Sequence, residues 1–465
     1  MNGYDLAVVG GGPAGLAGAA AAARAGLSVV LLDSGARLGG QYFRHPAEGF
    51  HAARPGALHH GFGRFLRLAA DVTARADVRL NHRVWSVERG ADGVVVRCLA
   101  GDREERPVTV TARRLLIATG AYDRSLPFPG WDLPGVLTAG GAQALLKGDL
   151  VAAGRRIVVA GTGPFLLPVG AGLAAAGADV LGVYEANPLA AIALRARPLP
   201  GKVAEAAAYG LALLRHRVPF RGGVAVVAAH GERELTGVTL AQVDANWRPL
   251  RTRTVACDTL AVGYGFVPQL DLPVQLGCAT GPGADGGPVV TVDAGMRTSV
   301  PGVYAAGEST GIGGAELAEL EGLIAGRAVA ADLGRRVAPA PALPRRRDRL
   351  AAFAAALQRA YPVRDGWHSW LRPGTIVCRC EEVPYSRVAE ARRLGARDAR
   401  AIKLLARPGM GWCQGRVCGH AIASLAGEPP APPRRPIAQP VRLGDLAAPP
   451  DSGTEPGQAP PKEIR

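Results

Sequence analysis

Four of the seven cysteines in this 465-residue sequence fall within one 41-residue window, as Cys378-x-Cys380 and, 32 residues later, Cys413-x-x-x-x-Cys418. Clustered thiols in a chain with no sign of secretion argue for metal over disulfides. Four thiolates hold either zinc or an iron–sulfur cluster. Structural zinc sites mostly use Cys-x-x-Cys knuckles, whose two intervening residues turn the chain around one tetrahedral ion. Cys-x-Cys paired with the longer spacing departs from that pattern, and two bridged irons spread their ligands farther apart. The spacing therefore favours a 2Fe–2S cluster on Cys378, Cys380, Cys413 and Cys418. Gly409, Gly411, Gly415 and Gly419 would let backbone N–H groups approach the sulfurs. Arg379, Arg416 and His420 lie near enough in sequence to offset cluster charge, although each alone reads as a solvated cation. Cys98, Cys257 and Cys278 stand apart in apolar or turn settings and read as buried small hydrophobes.

The N-terminus offers a second centre. Residues 5–10 read as a buried strand, a Gly-rich turn follows, and an Ala/Leu helix runs to about residue 25. Leu27–Leu32 is a second strand ending at Asp33, which completes a βαβ unit and implies a parallel, covered sheet. Gly10-x-Gly12-Pro13-Ala14-Gly15 lies between strand and helix, the context that a dinucleotide fingerprint requires. Gly10 permits the tight turn, Gly12 admits a diphosphate to the backbone, and Gly15 lets the helix pack on the strand. The helix N-terminus favours the anion, and Asp33 is placed to accept from a ribose hydroxyl.

The pattern recurs once. Arg156–Ala160 is a strand, Gly161-Thr-Gly163 a turn, a helix runs to about Ala176, and Val180–Tyr184 ends at Glu185. Leu166 replaces the third glycine, which should push the helix off the strand and weaken diphosphate binding. Glu185 nevertheless suits an NAD ribose, so the second unit is read as a retained scaffold, an NAD site, or a holder of another nucleotide. Val84–Val96 and Val108–Ile117 alternate like strands of an antiparallel insertion.

The formal charge is +15, nearly all from scattered Arg. That distribution excludes a nucleic-acid stripe and fits an acidic partner protein. No apolar run is long enough to span a bilayer, and the chain enters a strand within five residues, so a cytoplasmic location is expected. Residues 336–348 are rich in Pro, Ala and Arg and read as linker; beyond Glu428 the composition is that of an extended tail.

Ala118-Thr119-Gly120 after Leu115–Ile117, and Val303-Tyr-Ala-Ala-Gly307-Glu308 after a Pro-Gly turn, resemble the two-dinucleotide-domain flavoprotein superfamily. The resemblance implies FAD in the first unit. Glu308 matches the acid near the ribityl–pyrophosphate region, a position that is more often Asp. Gly39-Gly40-Gln41 matches the loop lining the isoalloxazine, and Val84 a position whose backbone meets the adenine. Glutathione-reductase-like enzymes carry a redox Cys pair soon after that loop; Gln41-Tyr42-Phe43-Arg44-His45 has none, so thiol–disulfide chemistry at the flavin is not expected. His45, His51, His59 and His60 read as surface or packing residues.

Cys378-Arg-Cys380-Glu381 and Gly409-Met-Gly-Trp-Cys413-Gln-Gly-Arg-Val-Cys418 resemble the bacterioferritin-associated-ferredoxin type of 2Fe–2S domain. Phe128-Pro-Gly-Trp131, Leu133-Pro-Gly-Val136, Thr138-Ala-Gly140 with Gln143, Gly161-Thr-Gly-Pro164 and Gly263-Tyr-Gly-Phe266 extend the likeness. Over about residues 1–428 the chain is similar to the FAD and iron–sulfur subunits of opine oxidases, hydrogen cyanide synthase and D-hydroxyproline dehydrogenase. The fold so implied is α/β, with two Rossmann-like dinucleotide-binding domains of the FAD/NAD-linked reductase type and a small helical C-terminal 2Fe–2S domain. The expected boundaries are 1–147 with 253–335 for FAD, 148–252 for the second nucleotide-binding-like domain, 336–372 for a linker, 373–428 for 2Fe–2S and 429–465 for the tail. The resemblance also implies a D-amino-acid-oxidase-like flavoprotein partner, in some members a small 2Fe–2S subunit, and a further option of a second nucleotide or FMN at a subunit interface. Hydride would leave the amine carbon at the partner's flavin, and electrons would pass through this chain's cluster and FAD to a quinone or carrier. Some such complexes lie on the inner face of the cytoplasmic membrane. No amine pocket or general base is legible in this chain, so no catalytic residue is assigned. An NADH-dependent flavin reductase feeding a protein acceptor through the cluster is the competing reading. A non-enzymatic iron–sulfur subunit is a third, disfavoured by the complete set of FAD segments.

Overall fold

Tyr4–Val9 is buried from Leu6 onward, and every side chain of Val29–Leu32 is buried. Strands apolar on both faces need cover on both, the condition for a parallel α/β sheet. The computed structural model describes residues 3–447 apart from 51, 53–55, 57–58, 91, 196–199, 433 and 435. In it Asp77–Arg79, Val29–Leu32, Tyr4–Val9 and the C-terminal half of Arg106–Ile117 lie parallel, with Val303–Ala305 on the far side. The N-terminal half of Arg106–Ile117 pairs antiparallel with Val94–Ala100, which pairs with His82–Arg89. The insertion thus has three strands where two were expected. The run Val84–Val96 folds back as a hairpin, with the Gly90 N–H donating to the Gly93 carbonyl at 2.9 Å.

The helix Pro13–Arg24 lies against the sheet and under a second helix, Ala315–Asp332. Glycine makes this crossing possible. A Cβ at Gly322 would meet the Ala14 carbonyl oxygen at 1.9 Å, and one at Gly326 that of Gly18 at 2.2 Å.

A second parallel sheet runs in the order Phe220–Gly222, Asp179–Glu185, Arg156–Gly161, Thr259–Gly263, Val136–Thr138. Val224–His230, Gly237–Val243 and Pro249–Ala256 form an antiparallel sheet beside it. Val136–Thr138 and Thr259–Gly263 come from outside residues 148–252, so the second unit reaches past both expected boundaries. The reason is pairing: the buried strand Arg156–Gly161 needs a hydrogen-bonded neighbour on each edge.

The expected linker 336–372 is not one. It holds the helix Ala342–Ala360 and a 3-10 turn, Asp365–Trp370. Pro344 falls in the helix's first turn, where the missing N–H has no intrahelical acceptor to lose, and Leu350 and Ala354 join the core of the first domain. Trp370 donates its indole N–H to the Trp247 carbonyl at 3.0 Å and stacks on that ring. The cysteine module follows as the hairpin Ile376–Cys378/Val383–Pro384 and the helices Tyr385–Arg393, Ala399–Ala406 and Gly419–Ala426. Val377, Cys378, Ile402, Cys418 and Ile422 share one buried apolar cluster with Phe128, Trp131 and Tyr264. The module is therefore packed into the second domain rather than tethered to it.

The chain after Glu428 is also partly fixed. Ala438 is buried and its N–H donates to the Trp85 carbonyl at 3.1 Å, while Gln275 donates to the Pro436 carbonyl at 3.0 Å. Residues 448–465 lie outside the described residues. Among the described residues no helix is long and apolar enough to cross a membrane.

Candidate cofactor sites

At Gly10 the backbone turns with φ +107°, and a Cβ there would meet the Ala118 carbonyl oxygen at 2.3 Å. A Cβ at Gly15 would meet the Gly10 carbonyl at 1.8 Å. Gly12 is different: its nearest neighbour would be the Gly40 Cα, at 3.9 Å. The Gly39 N–H donates to the Gly11 carbonyl at 2.8 Å and lays the Gly39-Gly40 loop over the turn. Gly307 abuts the helix start, where a Cβ would stand 3.0 Å from that of Ala14. Gly10, Gly12, Pro13, Ala14, Gly15, Gly40, Ala118 and Gly307 thus converge at the carboxyl ends of the first sheet's strands. Gly12 and Gly40 are in contact, a Cβ at Gly40 standing 2.9 Å from the Gly12 Cα, and the bare backbone they leave at the N-terminus of the helix Pro13–Arg24 is the setting a diphosphate needs.

Asp33 is partly exposed, accepts from the N–H groups of Gly11 and Gly35, the latter at 2.6 Å, and has its pKa raised by burial. A carboxylate offers about four acceptor positions, so roughly two remain for a ribose. Val84 is buried on the strand that starts beside Asp33, the His82 N–H donating to the Asp33 carbonyl at 2.8 Å. Thr119 and Gly120 are tied to Gln269, through a hydroxyl donation at 3.2 Å and an accepted N–H at 2.9 Å. Gln41 is exposed and accepts from the Arg44 guanidinium at 2.7 Å. Glu308 accepts from Gly313 and Gly314 at 3.1 and 2.9 Å, and burial pushes its pKa up to about 7.

Sequence reasoning missed Glu321. This buried carboxylate accepts from the Gly307 N–H at 3.0 Å, the Thr310 hydroxyl at 2.7 Å and Arg347 Nε at 3.0 Å. Arg347 belongs to the helix that replaced the linker, which thereby holds the Gly307 turn from behind. A charged residue inside an apolar helical run was the only signal in the sequence.

The second Gly turn is built differently. Its helix starts at Leu166, so Pro164 lies outside it, whereas Pro13 opens the first helix. Glu185 is 1 % exposed and accepts from the Thr162 hydroxyl, the Gly163 N–H, the Asn187 N–H and the Asn187 side chain at 2.6 to 3.2 Å. Three of these donors crowd Oε1, and the Gly163 N–H holds Oε2. Asn187 also donates to the Pro362 carbonyl at 3.1 Å, which draws the segment after the helix Ala342–Ala360 across this end of the sheet. Burial lifts the Glu185 pKa to about 6.

In the cysteine module Cys378 and Cys418 are buried, while Cys380 and Cys413 are partly exposed. The thiols approach as two pairs, Cys378 with Cys418 and Cys380 with Cys413; hydrogen bonding from Cys418 brings the Cys378 pKa down to about 5. Among the described residues no three His, Cys, Asp or Glu side chains gather at one point. Two pairs suit two irons with two thiolates each, whereas one zinc takes four ligands about a single centre. The Gly409 N–H donates to Cys378 Sγ at 3.4 Å, and a Cβ at Gly411 would meet that of Cys380 at 2.4 Å. Gly419 has open space around it and serves instead as the start of a helix.

The solvated-cation reading holds for Arg379, which is exposed, and fails for its two companions. Arg416 is only 15 % exposed in its side chain and binds Asp271 at 2.9 Å, Tyr122 Oη at 3.2 Å and the Ala438 carbonyl at 2.9 Å. Burial pushes the His420 pKa down to about 3, so its ring is neutral at pH 7. His45 and His59 bond to the Phe43 and Arg44 carbonyls and pack on Phe62, and His60 meets Tyr209 edge-on, all packing roles. His51 lies outside the described residues. Cys98, Cys257 and Cys278 are buried, and burial raises each thiol pKa.

Residues 4–322 match the pyridine nucleotide-disulphide oxidoreductase family, and residues 376–428 match the BFD-like [2Fe-2S] binding domain. Hydrogen cyanide synthase subunit HcnB of Pseudomonas aeruginosa is 38% identical over 428 residues, covering 88% of this chain and 90% of that one. An opine oxidase subunit of Rhizobium meliloti is 34% identical over 472 residues, covering 96% and 99%. The chain belongs to the family of these FAD and iron–sulfur subunits. L-proline dehydrogenase from P. horikoshii shares the fold, with a TM-score of 0.67, 21% identity, and coverage of 96% of this chain and 80% of that one. As a member of the family the protein is an FAD- and 2Fe–2S-dependent oxidoreductase, and the helix start at Gly12 and the paired thiols fit those groups.

Proposed function

We propose that this chain is the electron-transferring subunit of a multi-subunit dehydrogenase that oxidises the C–N bond of an amino-acid-like substrate. The single observation that carries the reading is the reach of Arg416, from inside the cluster loop to Tyr122, two residues past Gly120. Cluster and flavin site are thereby built into one body, as a relay requires. The FAD diphosphate is assigned to the helix N-terminus at Gly12, beside Gly40 and over Pro13, Ala14 and Gly15, with its ribose at Asp33 and its adenine beside Val84. Gly40, Gln41 and Ala118–Gly120 would line the isoalloxazine, and Gly307–Glu308 the ribityl chain. Bound there, FAD accepts electrons as a pair and gives them up singly. The protein's own part is to exclude water, fix that geometry, and hold the cluster nearby.

The relatives' names and the resemblance in sequence point to an opine, D-hydroxyproline or glycine as substrate class, oxidised at a D-amino-acid-oxidase-like partner protein, with a quinone or carrier as acceptor. Attachment to the inner face of the membrane and a small 2Fe–2S subunit belong to the same reading. The burial of Glu185 under four donors of its own chain and the Pro362 segment beside it weigh against NADH as the electron source. Anaerobic reduction of the chain purified with its native partners tests this. Bleaching of the flavin by one of those amines, only with the partner present, is the expected result; bleaching by NADH would sink the proposal.

A further inference from the structure

Tryptophan seldom stands in water without a partner to cover it. Trp412 is 73 % exposed and directly precedes the cluster ligand Cys413. The two thiol pairs also differ in access, because Cys380 and Cys413 reach the surface and Cys378 and Cys418 do not. Beside the outer pair, Gly411 packs on Cys380 and Glu381, and Glu381 pairs with Arg407 at 3.3 Å. Leu404, 63 % exposed, lies one helical turn before Arg407. The apolar residues sit in a basic setting: residues 373–428 carry nine Arg or Lys against five Asp or Glu, and Arg400, Lys403 and Arg407 are all exposed.

We propose that this face docks a second redox protein with an acidic rim around an apolar contact, which exchanges single electrons at the Cys380/Cys413 edge. An exposed Trp and Leu supply the buried centre that such contacts need, and the arginine and lysine field steers an acidic partner while repelling a second copy of this basic chain. In each exchange the iron–sulfur centre loses one electron and the partner's centre gains it, or the reverse; no bond is made and no proton moves. The inference rests on the cluster being a relay, as proposed above.

Two soluble acceptors of high potential and opposite charge make the test: plastocyanin, an acidic copper protein, and cytochrome c, a basic haem protein. The cofactor-loaded chain is photoreduced anaerobically and mixed with each in a stopped-flow spectrometer. Plastocyanin should be reduced at least about tenfold faster at low salt, with the advantage fading above about 0.1 M ionic strength. Trp412→Ala and Lys403→Glu should each slow that transfer about fivefold or more, with the 2Fe–2S EPR signal and flavin content retained. Faster transfer to cytochrome c, or an unchanged plastocyanin rate in both variants, overturns the proposal. Should Trp412→Ala lose the cluster, Lys403→Glu decides, since it lies outside the ligand loop. Amine-dependent bleaching of the intact complex would survive failure of this docking face, and loss of that bleaching would leave the plastocyanin result standing, so the two failures are distinguishable.

Discussion

Arg416 Nε lies 3.2 Å from the Tyr122 hydroxyl and joins the loop between Cys413 and Cys418 to the strand Ala121–Asp123, which directly follows Gly120. The same guanidinium holds Asp271 at 2.9 Å, and the carbonyls of Ile437 and Ala438 close over it. Cluster loop, first domain and returning tail thus meet on one side chain. A planar fork with five donors suits that task where a lysine point charge does not.

Arg416→Met should cost about 3–5 kcal/mol, because it leaves the Asp271 carboxylate buried without its cation, with only the Tyr122 hydroxyl donating to it at 3.2 Å. Urea unfolding checks the size. Limited proteolysis should find new cleavage after Glu428 as the 436–438 segment is released. Arg416→Lys should recover less than half of the loss.

Gly12 and Gly15 should separate flavin binding from folding. A Cβ at Gly12 makes only ordinary contact, 3.9 Å from the Gly40 Cα, so Gly12→Ala should keep the apoprotein's thermal midpoint and weaken bound FAD. Gly15→Val strikes the Gly10 carbonyl and should lower that midpoint as well. Flavin absorbance and calorimetry on both variants distinguish the two effects.

Cys380→Ser should abolish the EPR signal of the reduced 2Fe–2S centre and leave flavin content unchanged, because Cys380 belongs to the C-terminal module and contacts Gly411 and Cys413 rather than the first Gly turn. Loss of both cofactors together would count against two separate sites.

Arg347→Ala should weaken FAD binding about tenfold without reaching the flavin itself. It leaves Glu321 buried without its cation, an uncompensated cost of about 1–3 kcal/mol borne by the Gly307 turn. Fluorescence titration of the apoprotein with FAD gives the number. Equal affinity in both forms would show that the helix Ala342–Ala360 plays no part in the site.

Glu185 should make stability depend on pH in a defined window. Its folded-state pKa, about 6, lies above the unfolded value near 4.5, so its ionisation opposes folding. Stability is therefore greatest below the unfolded value and is lost as pH rises through 6. The shift amounts to about 2 kcal/mol at pH 7 and less than about 1 at pH 5. Melting curves of wild type and Glu185→Gln from pH 5 to 7 should diverge by the difference, and parallel curves would refute it.

Local order in the sequence determined much of this protein. Glycine at fixed offsets between a strand and a helix, and an acid at the next strand's end, specify a βαβ turn through short-range sterics. Four thiols at Cys-x-Cys and Cys-x4-Cys spacing specify metal through ligand count. Neither conclusion needs distant residues. Tertiary structure decided whatever depended on long-range partners. Glu185 and Asp33 end equivalent strands, yet Thr162, Gly163 and Asn187 bring four donors to the one, which is buried, and only Gly11 and Gly35 donate to the other, which is partly exposed, a difference in neighbours that spacing does not encode. Residues 342–360 carry a linker's arginines and a proline, but burial of Leu350 and Ala354 and the Arg347–Glu321 pair make them a helix that supports the Gly307 turn. Arg416 reads as a surface cation until the fold brings Tyr122, Asp271 and the tail carbonyls around it. Desolvation and pairing are properties of a place in space, and the chain reaches that place only when folded.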